Sequence, residues 1–434
     1  MNPLFILVLF TVLGAPLFII FGAVGLYNFH QAGLDISNMI TPIQRIAELP
    51  MLVTIPLFTF AGYMMAESGT PKRLVNLAQA FVGWLPGGLA IVTLLTCAFF
   101  TAFTGASGVT IIALGGLLYP VLVQEKYGDG FSMGLVTSCG SLGMLFPPSL
   151  PLILYGVVAQ VDINKLFIAG VVPGLLLIGI FSIYSIFFGI RKKVHRVPFN
   201  WKNIFKALKG AAWEVPLPIM ILVGIYGGWI TATEAAAVTA FYVLVVEVFI
   251  YRDLKLFTDI PRVIRESMLL VGGILIIFGM VLGLTDYLIL AQVPQKLFEL
   301  TSTTIEAIGQ WLSQFPTVAS IITSRVVFLI FLNIFLLIAG SLMDMFSAIV
   351  VIPLVLPVAI KYGINPIHLG IIFLTNLEIG YLTPPAGLNL FMSAFRFGRS
   401  IIELYRVSFP FLILFFIGLL IITYWPALSL FLVH

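Results

Sequence analysis

Apolar residues follow one another along this chain in long continuous runs, and polar residues fall between the runs rather than alternating with them. Several runs continue for about 20 residues without a charge, which is the length a helix needs to cross the hydrocarbon core of a bilayer. A transmembrane β-barrel shows alternating apolar and polar positions instead. The pattern therefore predicts an all-α polytopic membrane protein.

Two apolar regions are interrupted by the same features in the same order: a glycine-rich polar tip, a further glycine and a pair of prolines. The first copy has Gly105-Ala106-Ser107-Gly108, Gly143 and Pro147-Pro148, and the second has Gly340-Ser341-Leu342-Met343-Asp344, Gly380 and Pro384-Pro385. One offset relates them, since 380 − 143, 384 − 147 and 344 − 107 all equal 237. This agreement predicts an internal repeat.

Each copy predicts a re-entrant hairpin followed by a broken transmembrane helix. A proline lacks an N–H and disfavours helical geometry at the residue before it, so each Pro-Pro pair frees backbone carbonyls. Lipid cannot satisfy freed carbonyls, which must be buried in protein or face a polar cavity. Discontinuous helices in two related halves indicate the binding site of a secondary transporter.

Composition excludes a soluble protein. The 434 residues are 60% hydrophobic and only 9% charged, whereas soluble domains carry about 25% charged residues. Residues 1–27 have neither a basic start nor a small-residue cleavage site, so we expect a retained span rather than a signal peptide. Cys97 and Cys139 show no metal-ligand spacing and predict neither a metal site nor a disulfide framework.

Basic residues predict the orientation in the membrane. Lysines and arginines concentrate in 72–73, 191–209, 252–265 and 396–406, and such loops are cytoplasmic. An even number of crossings between each pair of loops is obtained only if both hairpins are re-entrant, the first entering from the cytoplasm and the second from outside. The repeats are therefore predicted to have inverted topology, with a cytoplasmic N-terminus and an external C-terminus.

The chain is accordingly predicted to have five parts. Residues 1–87 are scaffold helices with an interfacial arm, and 161–325 are scaffold helices with the basic loop and a second arm. Residues 88–160 and 326–395 each hold a hairpin and a broken helix as the two halves of a transport domain. Residues 396–434 form a last scaffold helix.

Asp344 is the strongest single candidate for function. It is an ionisable group within an apolar run, which is a functional hypothesis by default, and it is in register with Ser107. Sodium prefers oxygen ligands such as carboxylates, hydroxyls and freed carbonyls, and half-helix N-termini attract anions. A single serine or threonine is more simply explained by a hydrogen bond to its own helix, and tip glycines also permit close helix approach.

Other acids favour structural interpretations. Glu234 completes the spacing Thr231-x-x-Glu234 of a capping box. Asp286, Glu214 and Glu247 lie near the ends of predicted spans, and we expect them to be interfacial.

The stretch 215–251 is long enough for two spans that turn near Gly227-Gly228-Trp229.

The chain resembles the large membrane (M) subunit of the tripartite ATP-independent periplasmic (TRAP) transporters over nearly its whole length. The matching pieces include Phe103–Gly108, Gly143–Ser149, Lys165–Gly170, Thr231–Ala237, Ile379–Gly387 and Pro426–Leu430. The set is specific, although each piece alone is weak. One departure from the family pattern is Ala106, where a serine is common, and it puts one hydroxyl ligand in doubt.

The resemblance implies an elevator-type secondary transporter of the ion-transporter superfamily, in the bacterial inner membrane. A small four-helix membrane subunit and a periplasmic substrate-binding protein would complete a sodium-coupled importer of organic acids, including C4-dicarboxylates or sialic acid. Neither ATP nor an organic cofactor nor a nucleic acid is expected, and no phosphate-binding loop occurs in the sequence.

The resemblance also implies site residues. Those expected around sodium, several through carbonyls, are Gly105, Ser107, Ser141, Pro147, Gly340, Asp344, Gly380, Thr383 and Pro384. Those expected to face the substrate are Ala106, Ser149, Ser341, Asn376 and Glu378.

Two other functions remain open at the level of sequence. The same scaffold would serve a sodium- or proton-driven exporter or antiporter that works without a binding protein. A membrane-embedded enzyme would need a catalytic pair within a span, but no histidine lies deep in an apolar run and no DxxD motif occurs. A purely structural subunit would not need two sets of helix breaks.

Overall fold

The computed structural model describes residues 15–194, 198–312, 324–385 and 387–433. All regular secondary structure within these ranges is helical, which confirms the predicted class. Six helices are long and apolar enough to cross a membrane, or up to eight spans if each of two bent pairs counts as one. Residues 1–14 of the predicted first span and residues 313–323 of the second arm lie outside the described residues.

The first half contains nine helices among the described residues. They are α1 (Leu17–Gln31), α2 (Thr41–Ala47), α3 (Thr54–Glu67), α4 (Thr70–Val82), α5 (Gly88–Thr104), α6 (Ser107–Gln124), α7 (Asp129–Cys139), α8 (Leu150–Ala159) and α9 (Ile163–Lys192). A connecting region follows, with α10 (Trp201–Gly210), α11 (Pro216–Tyr226) and α12 (Ala232–Val245), which continues as a π-turn over Val246–Ile250.

The second half repeats this order. Its helices are α13 (Asp259–Leu290), α14 (Val293–Leu312), α15 (Ser324–Leu342), α16 (Met345–Ala348), α17 (Ile352–Lys361), α18 (Pro366–Gly380), α19 (Leu388–Phe397), α20 (Ile401–Tyr424) and α21 (Ala427–Leu430). Adding 237 to the limits of α6 gives 344–361, which the pair α16 and α17 occupies. The Pro147-Pro148 and Pro384-Pro385 bonds are both cis. The predicted repeat is therefore present in the fold.

The two halves are interlocked. Hairpin 1 (α5 and α6) places α6 against α19 of the other half, and hairpin 2 (α15 to α17) places α17 against α8. The 237-residue shift relates α8 (150–159) to α19 (388–397) to within one residue, so the two contacts are equivalent. Each hairpin thus rests on the broken helix of the opposite half.

Two arms lead into the hairpins. Helix α3 bends by 76° into α4, which packs against α5, and α14 packs against both α15 and α17. The broken helix α7–α8 bends by 44°. Helices α9 and α20 follow the broken helices and pack against them. The division into fixed and moving parts stays a prediction.

The stretch 215–251 is predicted to hold two spans, and it forms two helices with a turn in which Gly228 has φ +68°. Of the two, only α12 with its π-turn is long and apolar enough to cross a membrane. Helix α11 has only 11 residues, or about 16 Å of rise, which is shorter than a bilayer core of about 30 Å. At the start of α12, Thr231 and Glu234 form the predicted capping box.

Glu214 and Glu247 are buried within the protein, and their place at the membrane interface stays a prediction. They are 3% and 1% exposed and bind the guanidinium of Arg73, Glu247 at 3.0 Å. Asp253 completes the cluster at 2.6 Å from Arg73 and also accepts the backbone N–H of Gly69 at 2.8 Å. The cluster ties the bend between α3 and α4 to the connecting region, because buried carboxylates need a cation and Arg73 supplies it from a distant part of the chain.

The same contacts bear on orientation. Arg73 meets Asp253, and α10 packs against α4, so three of the four basic stretches come together. Lys192 and Arg406 line one surface cavity of about 390 Å³, which joins the fourth stretch to the second. This grouping agrees with a shared cytoplasmic side.

Candidate functional site

The tip of hairpin 1 is formed by Gly105, Ala106 and Ser107. Gly105 has φ +65°, and a Cβ there would lie 2.5 Å from the side chain of Leu150, so only glycine fits. Ala106 is extended, and α6 begins at Ser107. The Ser107 hydroxyl is buried and has no hydrogen-bond partner among the described residues. Its oxygen is therefore free to accept a ligand at the tip.

The tip of hairpin 2 has a carboxylate at the equivalent position. Asp344 caps α16, accepting hydrogen bonds from the N–H groups of Phe346 and Ser347 at 3.3 Å each and from the Ser347 hydroxyl. It is only partly buried. A carboxylate has about four acceptor sites, so capping leaves it able to accept one further partner. Tyr381 holds the tip against the second broken helix, because its hydroxyl accepts the N–H of Met345 at 2.8 Å.

The first break lies directly beside hairpin 1. The carbonyl of Gly140 accepts a hydrogen bond from Thr101 of α5 at 2.6 Å. Ser141 is buried next to it, and Pro147 is half-buried. Ser149 stands at the N-cap position of α8, yet its buried hydroxyl caps nothing and has no partner among the described residues. This break therefore presents hydroxyl oxygens to the interior.

The second break is held by a close approach of two glycines. A Cβ on Gly380 would lie 2.4 Å from the carbonyl carbon of Gly340. The Thr383 hydroxyl donates to the carbonyl of Gly380 at 2.9 Å, and Pro384 is exposed. Close helix approach therefore explains both glycines, whether or not their carbonyls also bind an ion.

We expect Gly380→Ala to destabilise the protein, because the added methyl group meets backbone rather than a movable side chain. Overpacking of this kind costs about 1–3 kcal/mol or more. Thermal melting of purified protein measures the loss. Gly272→Ala is the matched control, since nothing lies within 4 Å of a Cβ there. An unchanged melting temperature for Gly380→Ala would contradict the close contact.

The predicted substrate-facing residues of the second half are enclosed in this conformation. Asn376 donates to Asn333 at 2.8 Å and to the carbonyl of Ile372 at 2.8 Å. Ser341 donates to Ile338 within its own helix at 2.8 Å. Glu378 is fully buried, and neither carboxylate oxygen has a partner among the described residues. Because an isolated buried carboxylate is costly, Glu378 stands out within α18.

Sequence reasoning missed Asn389 and Ser393, which join the two halves. Asn389 donates to the hydroxyl of Ser141 at 3.4 Å, and the hydroxyl of Thr137 donates to that of Ser393 at 2.8 Å. The two residues are four apart on α19 and so share one face. A polar pair at this spacing in an apolar half-helix is the sequence pattern that could have identified both residues as candidates for a contact between the halves.

The 237-residue shift makes Ser141 the equivalent of Glu378 (141 + 237 = 378). The candidate residues thus form two related clusters. The first surrounds Ser107, Ser141 and Asn389, and the second surrounds Asp344, Gly380 and Glu378. At both pairs of equivalent positions, the first cluster has a hydroxyl (Ser107, Ser141) and the second has a carboxylate (Asp344, Glu378). Oxygen-rich clusters of this kind suit a hard monovalent cation or the polar groups of a small anion.

Comparison with known proteins gives a consistent result. The family model described as "Tripartite ATP-independent periplasmic transporter, DctM component" matches residues 4–428. A C4-dicarboxylate TRAP transporter large permease protein of Pseudomonas aeruginosa is 37% identical over 87% of this chain and 85% of its own length. The corresponding protein of Vibrio cholerae is 35% identical over 98% and 96%.

One further relative is named for a different substrate, and one solved structure shares the fold. An isethionate TRAP transporter permease of Oleidesulfovibrio alaskensis is 35% identical over 98% of this chain, which spans 64% of that relative's length. The crystal structure of the Alcanivorax borkumensis YdaH transporter has a TM-score of 0.57 at 14% identity, covering 90% of this chain and 88% of that one. This last likeness concerns the fold alone.

Proposed function

Because the chain belongs to the DctM component family of the tripartite ATP-independent periplasmic transporters, we propose that it is the large permease subunit of a sodium-coupled importer of an organic acid. The observation that carries the proposal is the pair of related oxygen clusters at the hairpin tips and helix breaks. The carboxylate at one tip keeps an acceptor site after capping, and the hydroxyl at the other has no partner among the described residues, so both can supply an oxygen to a cation.

Sodium is proposed to bind at both tips. Ser107 and Ser141, with the carbonyls of Gly105 and Pro147, supply the oxygens of the first site. Asp344 and Thr383, with the carbonyls of Gly340, Gly380 and Pro384, supply those of the second. Support comes from the unpartnered hydroxyl of Ser107 and from the acceptor site that remains on Asp344 after capping.

The substrate is proposed to lie between the two tips. Ala106, Ser149, Ser341, Asn376 and Glu378 face it in this proposal, and the buried ones become accessible when the interlocked hairpins and broken helices move relative to the arms. An elevator movement of this unit is favoured by its architecture, since each hairpin rests on the opposite broken helix and the arms α4 and α14 connect it to the remainder.

The substrate class and partners are proposed by analogy. Relatives are named for C4-dicarboxylates, isethionate and ectoine. We propose that this chain transports an organic acid, with sialic acid among the candidates. A periplasmic binding protein delivers the substrate, and a small membrane subunit works together with this chain.

The test is uptake by the reconstituted three-part system in proteoliposomes, with labelled organic acids presented one at a time. We expect uptake to require an inward sodium gradient, the small subunit and the binding protein together. Liposomes with potassium in place of sodium and a sodium ionophore provide the controls.

An exporter or antiporter gives a different result in the same assay. It would move substrate without the binding protein, and uptake would respond to a gradient of countersubstrate or protons. Sodium-independent uptake by the complete system would remove sodium coupling from the proposal while leaving the transporter family intact.

A further inference from the structure

Helix α10 is amphipathic and lies on the surface. Trp201 and Phe205 share one face with Leu208, given 100° per residue, and they are 65% and 68% exposed. Ile204 is buried and anchors the helix to the protein. Large aromatic side chains exposed on a membrane protein are typical of the bilayer interface. The aromatic face of α10 is therefore suited to lie among lipid chains.

The face beside the aromatic one is basic. Lys202, Lys206 and Lys209 are all exposed and lie within about 60° of one another around the helix. The stretch 191–210 contains seven lysines and arginines and no acid. Helix α4, which packs against α10, carries Arg73. The carboxylates of Glu214, Glu247 and Asp253 all bind this arginine. The lysine charges are thus free to attract an anion.

A cavity of about 450 Å³ lies between α10 and α4. Among the residues that the structure describes, no carboxylate lines it, and every polar side chain that does carries a hydrogen-bond donor: Arg73, Asn76, Gln79, Asn203 and Lys206. Arg73 is outnumbered by the three carboxylates that it binds, so the positive charge that the cavity offers to an anion comes from Lys206. Amide donors and an ammonium are groups that bind phosphate and hydroxyl oxygens.

The aromatic face continues from α10 to the end of α4. The rings of Trp84 and Phe199 are 6.2 Å apart, and those of Phe199 and Trp201 are 5.2 Å apart. Trp84 and Phe81 are themselves exposed. The two helices therefore offer one apolar surface beside the basic cavity, as the acyl and headgroup regions of a phospholipid require.

We propose that α10 and α4 form a binding site for an anionic phospholipid. Its phosphate contacts Lys202, Lys206 and Lys209, its headgroup enters the cavity beside Asn76 and Asn203, and its chains pack against Trp201 and Phe205. Charge complementarity and the adjoining aromatic and basic faces identify a lipid rather than a soluble anion. The inference requires a membrane-spanning chain and does not depend on the coupling ion or the substrate.

The test compares retention of phosphatidylglycerol and phosphatidylcholine by the purified full-length chain, counted by native mass spectrometry after titration in detergent. Each lysine near an anionic leaflet strengthens binding by roughly fivefold. We therefore expect Lys202→Gln/Lys206→Gln/Lys209→Gln to weaken retention of phosphatidylglycerol at least tenfold, and raised salt to weaken it in the parent. The control with the same charge change, Lys126→Gln/Lys165→Gln/Lys296→Gln, should retain it as the parent does.

Four results would overturn the proposal. The first is equal retention by both triple variants, and the second is equal retention of the two lipids by the parent. The third is displacement of phosphatidylglycerol by millimolar inorganic phosphate, which would indicate a soluble-anion site. The fourth is loss of the bound lipid when the assembled transporter covers α10, which would show that this surface is a protein interface and not a lipid site.

Discussion

Replacing Asp344 by asparagine should raise the sodium concentration for half-maximal uptake at least about tenfold while leaving the fold intact. Asparagine is an equally favoured N-cap residue. Its one side-chain oxygen still accepts the N–H of Ser347, and only the N–H of Phe346, which binds the other carboxylate oxygen at 3.3 Å, is left without this acceptor. What it loses is the negative charge. A hydrogen bond or contact to a charged group contributes about 1.5–3 kcal/mol, which corresponds to roughly a 10- to 150-fold change.

Sodium titrations of uptake in the reconstituted system measure this effect. The matched control is Asp162→Asn, which removes the charge of an exposed N-cap aspartate that accepts the Asn164 N–H at 2.8 Å at the start of α9. The control should leave the sodium dependence unchanged. If Asp344→Asn also transports with the parent's sodium dependence, Asp344 is not a sodium ligand.

Replacing Arg73 by alanine should destabilise the protein by about 3–5 kcal/mol, the cost of removing one partner from buried ion pairs. Glu214 and Glu247 would remain buried without a cation. The bend between α3 and α4 would also lose its attachment to the connecting region. The fraction of monodisperse protein that survives heating in detergent measures the loss.

Arg262→Ala is the matched control for Arg73. Its guanidinium binds Glu67 at 2.9 Å, but the two side chains are 52% and 39% exposed, and exposed pairs contribute about 0–1 kcal/mol. Adding Glu214→Gln and Glu247→Gln to Arg73→Ala should restore part of the stability, because the uncompensated charges are then removed. Equal stability of the Arg73 and Arg262 variants would show that the cluster does not stabilise the fold.

Features with a local signal could be predicted from the sequence. The helix breaks follow from Pro147-Pro148 and Pro384-Pro385, and the repeat follows from their shared offset. The capping box at Glu234 needs only four consecutive residues, and it is present. In each case the residues that decide the structure are neighbours in the chain, so a pattern of residue types contains the necessary information.

Features with distant partners could not be predicted. Arg73 is separated from Glu214 by 141 residues and from Asp253 by 180, and no periodicity links them. Glu378 was named as a candidate, but its isolation from every described donor depends on what surrounds it in three dimensions. Asn389 is the intermediate case, since its spacing to Ser393 is local while its contact with Ser141 is not.

The exchange of hairpins between halves also governs how the protein is made. Helix α6 is finished at Gln124, but the surface of α19 on which it rests begins only at Leu388, 264 residues later (388 − 124). At about 5–20 residues per second, the ribosome needs roughly 13–50 s to supply it. During that interval the newly synthesised hairpin has no native contact on that side. The insertion machinery or lipid must therefore cover this surface until translation is almost complete.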